Sequence, residues 1–147
     1  MKDDKPIDIL TLFGEALEDK LHEFKLPPPS FEVMKCEILE FDAKKKFIVV
    51  KMPVLELWLN PYGTMQGGLI VGAIDNAVGP LSLLVAPKNM TRSIESKLLK
   101  PIIKEMEFIY VTATLVEQKK RRLIFDALVQ DEEKNIYAKA RLTNWIL

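Results

Sequence analysis

A single carboxylate stands in the most apolar part of the chain. Residues 57–87 carry one charged side chain, Asp75, and the segment from Leu69 to Val85 is rich in Ala, Gly, Leu, Ile and Val. Burying a carboxylate costs free energy unless a partner compensates its charge or chemistry uses it. Asp75 is therefore a candidate functional-site residue. The alternative is a structural role, in which Asp75 pairs with a cation from a strand or caps a kink.

The helical neighbours of Asp75 have almost no side chains. At spacings of three and four residues, one helix face carries a small-residue stripe made of Gly68, Gly72, Asp75, Gly79 and Ser82. Such a face admits the close approach of another backbone, a second subunit or an extended ligand. Tight packing of the helix on a sheet explains the same pattern.

Paired glycines precede this segment. The sequence runs Asn60-Pro-Tyr-Gly-Thr-Met-Gln-Gly67-Gly68, and these glycines fall where the helix should begin. The first N–H groups of a helix lack intrahelical acceptors and lie at the positive end of its dipole. They can therefore stabilise an anion or the negative charge that develops on an attacked carbonyl oxygen.

The hydrophobic spacing predicts which elements hold these residues. Apolar residues recur at three- and four-residue steps over about 7–24 and indicate an amphipathic helix, which the prolines at 27–29 end. A helix of about 67–86 follows later in the chain, loosened near Pro80. Alternation with a period of two predicts strands at 31–41, 47–59, 91–101, 105–117, 121–131 and 135–146. Pro53 marks a bulge or an edge.

These elements define an α+β fold. Consecutive strands with short links imply an antiparallel sheet, one face of which must cover the apolar helix. The chain divides into an N-terminal helix with a proline linker, 1–30, and a main domain, 31–147. A membrane span is a poor explanation for the central helix, because Asp75, Asn76 and Pro80 interrupt it.

Composition excludes several classes of function. The 147 residues include 21 Lys and Arg and 21 Asp and Glu, so the net charge is zero, which argues against a nucleic-acid binder. One cysteine and one histidine argue against a disulfide framework and a metal centre. We expect Cys36 in the core, His22 on the surface, no cofactor and a cytoplasmic location, since no signal peptide precedes the helix.

The segment from Asn60 to Asn76 resembles the signature of hotdog-fold acyl-CoA thioesterases of the phenylacetate-type (PaaI-like) branch. That signature runs N-x₂-G-x-x-H-G-G, then six residues, then D. The segment Thr91–Pro101 resembles the strand that follows in the same family, and the resemblance covers about residues 31–146. It implies a hotdog fold, in which a six-stranded antiparallel sheet wraps around a central helix, here with an added N-terminal helix.

The resemblance also implies roles for individual residues. Asp75 falls on the catalytic carboxylate, general base or nucleophile, and Gly67 on the glycine whose N–H polarises the thioester carbonyl. Asn60 falls on an asparagine that orients water or substrate, and Thr91 on a hydroxyl near the carboxylate. The implied substrate is an acyl-CoA, and the site is completed across a homodimer, which can pair again to a homotetramer. Gly68 and Asn76 fall on the substrate-binding surface.

One residue departs from the family pattern. Gln66 stands where the family has histidine, and its amide can hydrogen-bond but cannot titrate. If Gln66 only orients groups, hydrolysis is preserved. If a protonated histidine is needed, the protein is a non-catalytic hotdog that binds an acyl-CoA or a fatty acyl group. A dimeric structural protein is a third interpretation, but it leaves Asp75 unexplained.

A basic run lies at a predicted hairpin tip. Lys119, Lys120, Arg121 and Arg122 follow one another between two strands. They form either a solvated turn or a contact for the phosphates of CoA, to which Lys97, Lys100 and Lys104 can add. Met52, Met90, Trp58 and Trp145 are expected in the core or at an interface.

Overall fold

The fold is one antiparallel sheet packed against one long helix. The computed structural model describes residues 5–147. The strands are β1 (Glu37–Asp42), β2 (Phe47–Pro53), β3 (Asn89–Leu98), β4 (Phe108–Lys119), β5 (Arg122–Gln130) and β6 (Ile136–Ile146). Their order in the sheet is β1-β2-β4-β5-β6-β3, and all neighbours are antiparallel. The predicted α+β hotdog architecture is confirmed.

The central helix α3 (Gly67–Val85) fills the inner face of this sheet. Alternate side chains of the central strands β4, β5 and β6 are buried against it, as a period of two requires. The helix contributes fully buried side chains to the same core: Ala73, Ile74, Ala77, Val78 and Leu81. By length and composition α3 could cross a membrane, a test that the core helix of a soluble protein also passes. Here α3 is the helix against which the sheet packs.

Helix α3 is continuous across Pro80. Proline lacks the N–H that would bond the carbonyl one turn earlier. The bond lost at Pro80 is the one to the Asn76 carbonyl. In the next turn the Ser82 hydroxyl donates to the Gly79 carbonyl at 2.8 Å. The expected loosening at Pro80 does not break the helix into two elements.

The N-terminal helix is shorter than predicted. Helix α1 spans Ile9–Leu17, and a 3₁₀ helix continues over Glu18–Glu23. The side chain of Asp8 caps α1 by accepting from the N–H of Thr11 at 3.1 Å. Ile9 and Phe13 join the core formed by the sheet and α3. The division of the chain at residue 30 stays a prediction.

The strand predicted at 31–41 is wrong in its first half. Residues Pro29–Val33 form a short helix, α2, and the strand begins only at Glu37. Proline at a helix start loses nothing, because its missing N–H would have no acceptor there. The two buried residues, Phe31 and Met34, are three apart, which is a helical spacing. The first part of the segment predicted as a strand therefore has a helical pattern.

The other boundaries shift for local reasons. The strand predicted at 47–59 ends at Pro53, and Glu56–Trp58 forms a 3₁₀ turn. The strand predicted from 105 begins at Phe108, because Lys104–Met106 forms another 3₁₀ turn. Strand β3 starts at Asn89, two residues before the expected position, and ends at Leu98.

Candidate active site

Asp75 is held by a hydroxyl from the neighbouring strand. The Oγ1 of Thr91, in β3, donates a hydrogen bond of 2.9 Å to Oδ1 of Asp75. The other carboxylate oxygen, Oδ2, has no hydrogen-bond partner among residues 5–147. Asp75 is half-buried, so its carboxylate is more exposed than the apolar segment around it suggests. A fixed carboxylate with one free oxygen on an accessible helix face can accept a proton or attack an electrophile.

The remainder of the small-residue stripe borders open space. A Cβ added to Gly68, Gly72 or Gly79 would meet no atom within 4 Å, excluding chain neighbours and the backbone of the helix itself. Only Ser82, at the end of the stripe, is buried. Packing of α3 on its own sheet therefore does not require these glycines.

The start of α3 presents N–H groups that have no acceptor among residues 5–147. The Gln66 carbonyl accepts from the N–H groups of Leu69 at 2.9 Å and Ile70 at 3.1 Å, whereas Gly67 and Gly68 precede these bonds. A Cβ on Gly67 would lie 3.0 Å from Cδ1 of Leu98. Leu98 is the last residue of β3, so the helix start lies beside the end of that strand. The side chain of Gln66 is exposed next to these donors.

The side chain of Asn60 closes the loop before the helix. Its Oδ1 accepts from the N–H groups of Tyr62 at 2.9 Å and Thr64 at 3.1 Å. Its Nδ2 donates to Oγ1 of Thr64 at 2.9 Å. Gly63 has φ +80°, a conformation that favours glycine. In this structure Asn60 shapes the loop, and its predicted contact with water or substrate stays a prediction.

Asn76 makes contacts on another side of α3. Its Nδ2 donates to the Ser30 carbonyl at 3.2 Å and to Sδ of Met34 at 3.1 Å, and its Oδ1 accepts from the Ser30 hydroxyl at 3.0 Å. These bonds join α2 to the central helix. A role of Asn76 in substrate binding stays a prediction.

Asp75 and the Gly67 N–H are far apart within one chain. They are separated by eight residues of one helix, which at 1.5 Å per residue is about 12 Å along its axis. One small ligand group cannot contact both in the same chain. Asp75 with Thr91 and Gly67 with Leu98 are therefore two separate candidate half-sites.

The basic residues are distributed over several surfaces. At the tip between β4 and β5, Nε of Arg121 donates to the Ile146 carbonyl at 2.9 Å, and Arg122 lies 3.5 Å from Glu117. Lys119 and Lys120 form no ion pair with any of residues 5–147. Their contact with CoA phosphates stays a prediction.

The three additional lysines have different surroundings. Lys104 pairs with Glu56 at 2.8 Å, and this contact holds the pKa of the Glu56 carboxyl below its usual value. The ammonium of Lys100 lies 5.6 Å from the ring centre of Tyr137. Lys97 lies opposite Lys139 on β6. Lys97 and Lys100 therefore stay available for a ligand, whereas Lys104 is engaged.

Of the other residues discussed from the sequence, some lie in the core and some on the surface. His22 is exposed, and burial raises the pKa of the half-buried Cys36 thiol to about 12, so Cys36 is a thiol at neutral pH. Met52 and Trp58 are buried. Met90 and Trp145 are exposed, and the Arg92 guanidinium lies 5.8 Å from the Trp145 ring centre.

Sequence reasoning missed one buried polar residue, which lies opposite Thr91. Asn144, in β6, is 2% exposed and is the register partner of Thr91. The sequence feature that could have identified Asn144 is that it is the one amide among the buried positions of β6, which are otherwise alanine and leucine. The alternation places the strand, and the polar exception within it marks a buried amide.

Comparison with known proteins agrees with the fold. No family model and no curated protein matches this sequence. The structure is similar to the E. coli PaaI protein from the phenylacetic acid degradation operon, with a TM-score of 0.77 and 17% identity over 92% of this chain and 96% of that one. It is similar to a phenylacetic acid degradation-related protein of Ralstonia eutropha JMP134, with a TM-score of 0.76 and 16% identity over 87% and 98% of the two chains.

A third neighbour was solved with a ligand. The protein smu.793 of Streptococcus mutans UA159, bound to acetyl CoA, has a TM-score of 0.72 and 22% identity over 86% of this chain and 95% of that one. At these low sequence identities the structural similarity shows the fold alone. The chain has the hotdog architecture that PaaI-like thioesterases also have. Activity and residue roles rest on the site itself.

Proposed function

We propose that this protein hydrolyses an acyl-CoA thioester to a free acid and CoA. The observation that carries the proposal is the Asp75 carboxylate, fixed by Thr91 at 2.9 Å on an open helix face. The N–H of Gly67 at the helix start also supports the proposal, because it can donate a hydrogen bond to the thioester carbonyl oxygen. The acetyl CoA bound to the S. mutans neighbour supports CoA as the carrier.

The chemistry needs a base and an oxyanion donor. With Asp75 as base, a water oxygen bonds to the thioester carbon while Asp75 accepts a water proton, and the carbonyl electron pair moves to oxygen. The Gly67 N–H and the helix dipole stabilise that negative charge, which typically contributes a few kcal/mol. The oxyanion then collapses, the C–S bond breaks, and the thiolate takes the proton back from Asp75. In the alternative chemistry an Asp75 oxygen bonds to the thioester carbon, and the C–S bond breaks to release the CoA thiolate. Water then opens the mixed anhydride to the free acid and the Asp75 carboxylate, and the proton it releases goes to the thiolate.

The 12 Å separation supports a homodimer with composite sites. Strand β3 is an edge of the sheet, and its free edge can pair antiparallel with a second copy about a two-fold axis. Gly67 lies at the Leu98 end of β3 and Asp75 at the Thr91 end. A two-fold axis through the middle of β3 brings the Leu98 end of one copy beside the Thr91 end of the other. Each thioester would then meet Asp75 of one copy and the Gly67 N–H of its partner.

A binding protein without turnover is the second candidate. It is favoured by one observation, the exposed Gln66 amide beside the helix start where the family has histidine. In that case Gln66 hydrogen-bonds the acyl-CoA, and Asp75 only anchors Thr91.

A panel of acyl-CoA esters separates the two candidates. Released CoA is measured with a thiol reagent for the wild type, Asp75→Asn and Gln66→His. We expect wild-type turnover and a loss of roughly 10²–10⁴-fold in Asp75→Asn, the usual contribution of a general base. Gln66→His should retain or raise turnover. Binding of acyl-CoA without hydrolysis by the wild type would establish the binding protein instead, and full activity of Asp75→Asn would remove Asp75 from the mechanism.

A further inference from the structure

The outer face of the sheet carries a groove over β3, β6 and β5. Its volume is about 370 Å³, which is in the range of small-molecule sites, and most of its surface is apolar. Ala127 and Ala140 point into the core, so the residues that alternate with them lie on the face opposite α3. The side chains of the groove form two rows of register partners, an acidic row of Glu95, Arg141 and Asp126 and a lysine row of Lys97, Lys139 and Leu128.

The acidic row contains its own cation. The Arg141 guanidinium donates to both carboxylate oxygens of Asp126, at 2.8 Å and 2.9 Å. These bonds to Asp126, with smaller attractions from Glu117 and Glu95, raise the pKa of Arg141. Since Arg141 lies between Glu95 and Asp126 in the register, the carboxylates of the groove already have a positive partner.

The lysine row has no such partner. Lys97 and Lys139 are directly opposed in the β3–β6 register, so their Cβ atoms are about 4.5–5.5 Å apart on one face. Neither lysine forms an ion pair with any of residues 5–147. Like charges that face each other across two strands destabilise the pair. An anion between the two ammonium groups would remove that repulsion, because it attracts both.

The other end of the lysine row is apolar. Leu128 is the register partner of Lys139 on β5, a half-buried leucine on an outer face where strands usually carry polar side chains. The aliphatic stems of the two lysines add to this surface while their ammonium groups reach solvent. The row therefore presents a positive end beside an apolar end.

We propose that this groove binds a small amphipathic anion, with its anionic group between Lys97 and Lys139 and its aliphatic body on Leu128. The groove and Asp75 lie on opposite faces of the sheet, so the inference goes beyond the proposed hydrolysis and does not rest on it. Because β3 also carries Thr91, the anion binds to the strand that holds Asp75.

Octanoate is the test ligand, and three compounds are its controls. Acetate has the charge without the aliphatic body, 1-octanol has the body without the charge, and inorganic phosphate is an anion alone. By isothermal titration calorimetry we expect octanoate to bind more tightly than all three, with a gain of up to about fourfold for each methylene that the groove covers. Equal binding of 1-octanol would remove the lysines from the site, and equal binding of acetate or phosphate would remove Leu128. Either result overturns the inference.

Methionine substitutions remove the charges and keep the aliphatic stems. We expect Lys97→Met/Lys139→Met to weaken octanoate binding about tenfold, the combined effect of two exposed ion pairs. The matched control is Lys51→Met, since Lys51 lies on β2 outside the groove with its ammonium 4.0 Å from the ring centre of Phe108. Its affinity should stay within about twofold of the wild type. Unchanged binding in the double variant would overturn the inference, and so would a change in its mass by light scattering, which would show that a second copy covers the groove.

Nuclear Overhauser effects locate octanoate on the wild type without any variant. We expect contacts between its methylene protons and the methyl groups of Leu128. Their absence, or contacts to Leu98 instead, which would place octanoate beside Gly67 at the start of α3, would overturn the inference. Asp75→Asn should bind octanoate as the wild type does. If the wild type hydrolyses no acyl-CoA but binds octanoate against Leu128, the proposed function fails and this inference stands.

Discussion

The proposed hydrolysis depends on a hydrogen bond between a helix and an edge strand. Thr91 and Asp75 are 16 positions apart in sequence, and their contact at 2.9 Å depends on β3 lying alongside α3. Sequence reasoning expected Asp75 to be enclosed because its segment is apolar. It is half-buried because the neighbours on its face are glycines, which cannot cover it.

Two substitutions of Thr91 test the hydrogen bond to Asp75. Thr91→Val preserves the shape and removes the donor, so one carboxylate oxygen loses its anchor. We expect kcat/KM to fall about tenfold, which corresponds to one net hydrogen bond of about 1.4 kcal/mol. Thr91→Ser retains a hydroxyl and should keep most of the activity, measured by CoA release. Equal activity of Thr91→Val and wild type would show that Thr91 does not position the carboxylate.

At the scale of elements, hydrophobic periodicity in the sequence predicted the number and type of the main helix and strands. The long helix and the six strands followed from hydrophobic periods of 3.6 and 2. A helix that buries one face against the core repeats every 3.6 residues, and a strand repeats every second residue. The errors lie where local chemistry overrides alternation: α2 forms because Pro29 occupies a first helical position. The pairing of Thr91 with Asn144 was not predictable, because it depends on the register of β3 and β6, two strands that are distant in sequence.

The ion pair between β5 and β6 gives a prediction about stability and pH. Arg141 donates from Nε to Oδ1 of Asp126 at 2.8 Å and from a terminal nitrogen to Oδ2 at 2.9 Å. These hydrogen bonds hold the pKa of the Asp126 carboxyl below its usual value. Because the two side chains are 44% and 59% exposed, we expect Asp126→Asn to lower the free energy of unfolding by about 0.2–1 kcal/mol at pH 7.

The pH dependence shows whether the difference in unfolding free energy between wild type and Asp126→Asn comes from the charge of Asp126. A carboxyl with a lowered folded-state pKa contributes its stability above the unfolded value of about 3.9, and the contribution is lost as pH falls through the folded pKa. Urea unfolding of wild type and Asp126→Asn should therefore differ at pH 7 and converge near pH 2. A double-mutant cycle with Arg141→Gln isolates the pair. A difference that persists unchanged at pH 2 would assign the effect to packing.

At the scale of the whole molecule, the two edges of the sheet differ. The β1 edge is partly covered, since the N–H of Ile7 donates to the Ile38 carbonyl at 2.7 Å. The β3 edge has no strand partner among residues 5–147, and most side chains of β3 are exposed. An uncovered edge strand is a template for pairing. Beside it lies the small-residue stripe of α3, so a second copy on β3 would also cover the glycines.

Substitution of Gly72 tests this arrangement. A Cβ at Gly72 meets nothing within 4 Å in one chain, and glutamate is a better helix former than glycine by up to about 1 kcal/mol. Gly72→Glu should therefore preserve the fold of the chain, measured by circular dichroism. In a dimer, two carboxylates would lie on stripes that approach closely across a two-fold axis, where like charges repel without room for water. Light scattering should report a shift from dimer or tetramer to the 16.8 kDa monomer, together with loss of thioester hydrolysis.

Leu10→Glu is the matched control for that charge. Leu10 is 48% exposed on α1, outside the small-residue stripe, so the same negative charge there should leave both the mass and the turnover unchanged. A wild type that is monomeric at micromolar concentration would reject the dimer. A Gly72→Glu variant that stays dimeric and active would remove the stripe from the interface. Because Asp75 and the Gly67 N–H are about 12 Å apart in one chain, a monomeric but fully active variant would further require each half-site to act alone.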